Sequence, residues 1–492
     1  MTARDAMRSV TVAWIFGSVF FTSIAGAPLT MFAAALGASP FVFGLLAAAP
    51  FAASLFSLPA GVLSDRTGQR KRLFFLGLYP NRLLWFVAAG LPILLWFNGL
   101  ERYALFAFVA SILLAHFLGA LGGPAWMSWM ADVVPRRVRG VYFARRKQLG
   151  ICTALPAALI VGFVLDAFVR GREQSDPGRV LIVCGTIFAV AAVFGLVDIA
   201  YFHRVPHDKP DAPPPGMKRG SLAEPLRDRQ FLTFASFVGL LTLATAPAGT
   251  FITLLLVERA GVSGLLVQTM LLVMPLVGSM LTSGIWGRAV DRLGKKPVLR
   301  LCGLGTVPVA FGWAAIAIYV EPGAGLSWPW LTVAYVISFA GGVAWGGVEV
   351  ANLNYVLELA GGRPGASKER STGRGAGGGY VAVNSVVVNL SGMAGGLGFG
   401  AIAGFLQHRD WQMPVPGGGV VEALTVLFVL SGVLRLLSVT VVLPLLAEGR
   451  HRPAREAIGF VTTNLYNNLQ TAVLQPVRLM GLRITDTFRD RR

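Results

Sequence analysis

The chain has 492 residues, 54% of them hydrophobic and only 14% charged, with a mean hydropathy of +0.64. That balance excludes an ordinary soluble domain and points to repeated passage through a bilayer. The formal net charge of +19 fits either nucleic-acid binding or membrane topology, and the placement of the charges decides between them.

A spanning helix needs ~20 mainly apolar residues to cross ~30 Å of hydrocarbon, and twelve such runs occur. In the first part of the chain they are Val10 to Leu36, Pro40 to Leu63, Leu73 to Phe97, Tyr103 to Ala131, Gln148 to Val169 and Val180 to Phe202. A second set covers Phe231 to Val257, Leu265 to Trp286, Val298 to Val320, Leu326 to Leu357, Tyr380 to Leu406 and Val420 to Leu446. The expectation is an all-α membrane protein with an N-terminal six-helix bundle (1–202), a linker (203–230), a C-terminal six-helix bundle (231–446) and a tail (447–492).

With the N-terminus in the cytoplasm, 35 Lys and Arg fall on that side, six fall on the other, and Arg82 and Arg435 lie inside spans. This bias predicts a multi-pass protein of the cell inner (plasma) membrane with both termini cytoplasmic. It assigns the charge to topology and anionic lipid headgroups, with no nucleic-acid partner expected. The first run resembles a signal peptide in its Arg4, Arg8 and small residues, but it continues to Leu36 and reads as a span. Cys152, Cys184 and Cys302 all lie within spans, so neither a disulfide nor a metal site is expected.

The loop "GVLSDRTGQRKRL" (Gly61 to Leu73) returns as "GRAVDRLGKKPVL" (Gly287 to Leu299), offset by 226 residues. The same offset sets Asp132 against Glu358. Beyond a Gly-rich insertion, Tyr142 aligns with Tyr380 at an offset of 238. The chain therefore reads as two related halves. The stretch between them, His203 to Gln230, is too rich in Pro and charge to enter lipid.

The charged loops resemble the signature of the major facilitator superfamily, roughly G-x-x-x-D-R-x-G-R-[RK], at Gly61, Asp65, Arg66, Gly68, Arg70 and Lys71. A second copy lies at Gly287, Asp291, Arg292, Gly294, Lys295 and Lys296, with Pro297 departing from the pattern. Asp132, Arg139 and Gly140 resemble the acid-x6-R-G element of sugar porters in that superfamily. The resemblance implies two pseudo-symmetric six-helix bundles and a cytoplasmic latch that stabilises the outward-open state. That latch role falls on Asp65, Arg66, Asp132 and Arg139 in one half and on Asp291, Arg292 and Glu358 in the other. In physical terms, Gly permits close approach and a tight turn, and the Asp pairs with Arg or faces a helix N-terminus.

An ionisable residue inside a span is costly and suggests function. Trp345, Glu349 and Asn352 share one face of the tenth span. The resemblance implies that spans one, four, seven and ten line the central pathway, which makes Glu349 a candidate for binding a proton or a cationic group. A structural Glu bonded to a neighbouring helix is the alternative. Asn384, Asn389, Trp126 and Trp129 offer amides and aromatic surface to a ligand, or else serve as helix glue and interfacial anchors. Arg82 with Asp198 reads as a structural pair on spans that the resemblance places at the outside of the bundle, and His116 reads as a satisfied core His. Gly396, Gly400 and Gly404 have packing spacing. Ile458, Val461, Leu465 and Leu469 form an apolar face that suits a helix lying on the membrane.

The expected function is a secondary active transporter that moves a small solute by alternating access, coupled to a proton gradient. The alternatives are a multidrug or other efflux antiporter, or a non-transporting sensor on the same scaffold. Drug efflux is weakened because the fifth span lacks the G-x-x-x-G-P-x-x-G-G element of drug-proton antiporters. An enzyme is not expected, since the five His residues form no cluster with acids or Cys. No P-loop follows a strand, so ATP drive is not expected. No cofactor is expected, the substrate is unassigned, and the protein reads as a monomer.

Overall fold

The computed structural model describes residues 3–135, 138–169, 176–206, 223–246, 248–361 and 376–446. The expected tail helix, most of the linker and the Gly-rich insertion therefore lie outside the described residues.

Eleven helices among the described residues are long and apolar enough to cross a membrane, and a bent pair supplies a twelfth span. The bent pair, Arg4–Ser23 with Ala27–Ala35, is span one. Spans two to six are Pro40–Ser64, Arg70–Phe97, Glu101–Met130, Arg145–Phe168 and Pro177–Arg204. Spans seven to twelve are Arg229–Arg259, Gly264–Leu293, Lys295–Tyr319, Trp328–Val356, Gly379–His408 and Ala423–Leu445. The chain is a multi-pass, all-α membrane protein, apart from a short antiparallel hairpin of Met413–Val415 with Gly419–Val421.

Span one is not the straight helix that its hydropathy implies. It bends by 41° between Ser23 and Ala27. Gly26 takes φ 72°, a left-handed conformation, and Pro28 stands in the first turn of the next helix. Gly supplies the turn without a Cβ clash, and Pro restarts a helix where its missing N–H costs nothing.

The loops that carry the Lys and Arg excess define a basic face of the molecule. Across the fold, the first six spans and the last six meet from the opposite face to about mid-depth. Span two packs along span eleven, span five meets the start of span eight, and the second segment of span one meets span seven. A Cβ on Gly44 would stand 2.5 Å from the Gly396 carbonyl oxygen and 2.7 Å from the Gly400 Cα. Backbones approach closely there because the side chains are absent, which is how helices associate when lipid removes most of the hydrophobic drive. Gly404 corrects the expected packing stripe, since nothing lies within 4 Å of where its Cβ would be. No comparable packing joins the two halves at the basic face among the described residues.

Candidate substrate cavity and gating loops

Each signature loop turns on its second glycine. Gly68 ends its helix at φ 63°, and Gly294 links two helices at φ 91°. Both values lie in the left-handed region, where a Cβ is strained. Gly61 has only an ordinary contact with Pro124, and Gly287 has nothing within 4 Å. The tight-turn role therefore belongs to Gly68 and Gly294, and no close approach occurs at Gly61 or Gly287 in this conformation.

Arg70 pairs with Asp132, and Lys295 pairs with Glu358. Arg66 and Arg292 are exposed, and so is Asp291. The side chains of Asp65 and Arg139 lie outside the described residues. Both pairs are made within one half, tying the start of span three to the end of span four and the start of span nine to the end of span ten. A second contact is also made twice. Lys71 Nζ donates to the carbonyls of His203 at 3.0 Å and Val205 at 2.8 Å. Lys296 Nζ donates to those of Pro444, at 3.1 Å, and Leu446. Each lysine thus caps the last carbonyls of its half, where a cation also meets the negative end of the helix dipole. Trp129 Nε1 adds a bond to the Pro206 carbonyl at 3.0 Å.

A cavity of about 670 Å³ lies inside the first half, toward the basic face. Its polar wall includes Ser54 and Ser57 of span two, Asn81 and Arg82 of span three, His116 of span four, Arg146 of span five and Asp198 of span six, together with the indoles of Trp14 and Trp126. Arg82 and Asp198 are buried and meet at 3.4 Å. Arg82 also donates to Asn81 Oδ1 at 2.7 Å, and the Asn81 amide donates to the Ala115 carbonyl at 2.6 Å. The Arg82 guanidinium lies 4.0 Å from the Phe20 ring. The expected pair therefore forms, but it faces the interior of the bundle and forms part of the cavity wall. His116 likewise stands on that wall rather than in a packed core.

Arg146 was missed by sequence reasoning, because "RRK" reads as loop charge. It sits instead in the helix Arg139–Phe168, with its guanidinium 4.3 Å from the Trp14 ring and 4.8 Å from the Trp126 ring. Helical periodicity holds the signal. Tyr142, Arg146 and Gly150 follow at i, i+4 and i+8 and turn inward, whereas Arg145 and Lys147 are exposed.

Of the substrate candidates read from sequence, Trp126 alone lines this cavity. Trp345 is half-buried and Glu349 is exposed on span ten. The Oδ1 atoms of Asn352 and Asn384 are buried without a hydrogen-bond partner. Asn389 donates to Ser385 at 3.2 Å, a contact within its own helix. The internal repeat relates these residues to the cavity. At the offset of 226, Trp345, Glu349 and Asn352 correspond to Gly119, Gly123 and Trp126, and at 238 Asn384 corresponds to Arg146.

Two halves of six spans that meet on one membrane face, with a polar cavity inside the first half, define the class as a secondary transporter. The chain belongs to the Major Facilitator Superfamily, whose sequence pattern it matches across residues 10–396. Among solved structures it is similar to the nucleoside transporter NupG, with a TM-score of 0.62 at 10% identity over 92% of this chain and 98% of that one. It is also similar to the inward-open xylose transporter XylE from E. coli, with a TM-score of 0.60 at 14% identity over 93% and 99% of the two chains. A bacterial homologue of the iron transporter ferroportin in an inward-facing state gives a TM-score of 0.51 at 13% identity, over 89% and 100%. A sequence search of curated proteins finds no match.

Proposed function

We propose that the protein moves a small solute across the inner membrane by alternating access, driven by a proton gradient. The observation that carries this reading is the one-sided contact between the halves, which close on one face and, among the described residues, have no comparable packing at the basic face. Placing the basic face in the cytoplasm, as the 35 to 6 distribution of Lys and Arg favours, makes this the inward-open end state and puts both termini inside. Glu349 is the proton candidate. It is exposed on span ten, the resemblance to the family favours a position for that span beside the central pathway, and an ionisable side chain within a span is a candidate proton carrier. The working unit is a monomer of two six-helix bundles, joined by the 203–230 segment and resting on anionic headgroups.

The test is flux in proteoliposomes with and without an imposed pH gradient, using sugars, nucleosides, amino acids and organic anions as solutes. The expected outcome is uptake accelerated by the gradient in the wild type. Glu349→Gln should retain solute exchange and lose the acceleration. Absence of exchange for every class would turn the assignment toward a sensor.

A further inference from the structure

We propose that the cavity of the first half binds an organic anion, a carboxylate or phosphate carried on an apolar body, with Arg146 as its principal counter-ion. The proposal deepens the transporter reading by naming a substrate class, but its chemistry stands on the cavity alone.

The wall holds two guanidinium groups and one carboxylate. Asp198 Oδ2 is engaged by Arg82, and one carboxylate cannot neutralise two guanidinium groups, so the trio carries a net charge of about +1 at neutral pH. The surplus falls on Arg146, which has no carboxylate within ion-pair distance among the described residues. From the elements packed against it, Arg146 faces Trp14 of span one, Trp126 of span four and, at longer range, Asp198 of span six. Aromatic faces stabilise a cation less than a carboxylate does, and a charge drawn into a bilayer protein calls for pairing.

Hydrogen-bond supply points the same way. The Nε atoms of both Arg82 and Arg146 are buried without an acceptor, and the wall sets a single carboxylate, Asp198, against two guanidinium groups. A guanidinium presents a planar fork that suits the oxygens of a carboxylate or phosphate. Pro50, Leu78, Pro124, Met127 and Phe202 supply an apolar remainder to the wall. About 670 Å³ is the size of a small-molecule pocket. The occupant this describes has an anionic head at Arg146 and Arg82 and an apolar body against spans two and four.

The experiment uses the full chain in lipid nanodiscs and four probes of similar shape and different charge: benzoate, phenyl phosphate, benzamide and benzylamine. The readouts are the melting temperature and the quenching of tryptophan fluorescence, since Trp14 and Trp126 flank the site. Benzoate or phenyl phosphate should raise the melting temperature with saturable quenching, and the stronger of the two identifies the head group. Benzamide and benzylamine should do neither. Arg146→Gln should weaken anion binding about tenfold or more, and Arg102→Gln, on an exposed residue outside the cavity, should leave it intact. Equal binding of neutral and charged probes, binding by none, or anion binding indifferent to Arg146→Gln would each overturn the site. If Arg146→Gln does not fold, the comparison of probe charges on the wild type still decides. Solute flux in proteoliposomes is a separate readout. Flux of a neutral solute with no anion binding would leave the transporter standing without this site. Anion binding without flux of any solute would leave the site standing without the transporter.

Discussion

Arg82 and Asp198 are each almost fully buried, at 3% and 5% exposure, and each is the other's ion-pair partner. Breaking a buried pair from one side leaves an uncompensated charge, which costs about 3–5 kcal/mol. Asp198→Asn should therefore lower stability by an amount in that range, read as a fall in the melting temperature of the detergent-solubilised protein. The double change Asp198→Asn with Arg82→Gln removes both charges and should recover much of the loss. A double variant no more stable than Asp198→Asn would show that the pair contributes little beyond its packing. The second half solves the corresponding position differently. Arg435, the repeat equivalent of Asp198, is buried and donates to the Thr306 carbonyl at 2.9 Å. A backbone carbonyl takes the place of the ion pair, and the large cavity is found in the half that carries the pair.

At the scale of whole helices, hydropathy is legible because the bilayer imposes a length and a composition on every span. The twelve runs read from sequence return as the observed spans with shifted ends. The break in span one was not legible, since "SIAGAP" is as apolar as its flanks and the bend is a φ choice at Gly26. Arg146 was hidden for the opposite reason: charge density marked a loop, while the helix of span five runs through the basic cluster and turns one of its three charges inward. Asn352 and Asn384 were read as candidates because polar atoms within spans stand out. Their repeat equivalents Trp126 and Arg146 meet in the cavity of the other half. The contact between spans two and eleven tests how much the closed face depends on bare backbone. Gly44→Leu inserts a side chain where a Cβ alone would stand 2.5 Å from a carbonyl oxygen, and overpacking costs about 1–3 kcal/mol. Spin labels at Tyr103 and Trp328, both exposed at the face opposite the basic loops, should move apart in Gly44→Leu. An unchanged distance would place the determinant of closure elsewhere.

For the whole molecule, the conformational equilibrium is set by contacts that exist in one end state only. The Arg70–Asp132 and Lys295–Glu358 pairs join helices within a half, so in this conformation they hold each half together without joining the two. Asp166, near the end of span five, does cross between halves: its Oδ2 accepts from the Leu265 backbone N–H at 3.3 Å, in the first turn of span eight. Ser263 caps the same helix end by accepting from Leu266 N–H at 3.3 Å. Close backbone packing surrounds the contact, since a Cβ on Gly162 would lie 2.6 Å from the Leu265 Cα. A carboxylate at a helix N-terminus satisfies an orphan N–H and meets the positive end of the dipole. That contact can form only while the face is closed, so it favours the state that opens toward the basic loops. Asp166→Ala removes about 1 kcal/mol from that state and should shift the equilibrium about fivefold toward the alternative. The same pair of labels at Tyr103 and Trp328 reads this as a larger long-distance fraction. Asp166→Asn keeps a capping oxygen and loses the charge, so it should fall between Ala and wild type. If Ala and Asn leave the distribution unchanged, glycine packing alone holds the face. If Asn behaves like Ala, the charge on the helix end outweighs the hydrogen bond.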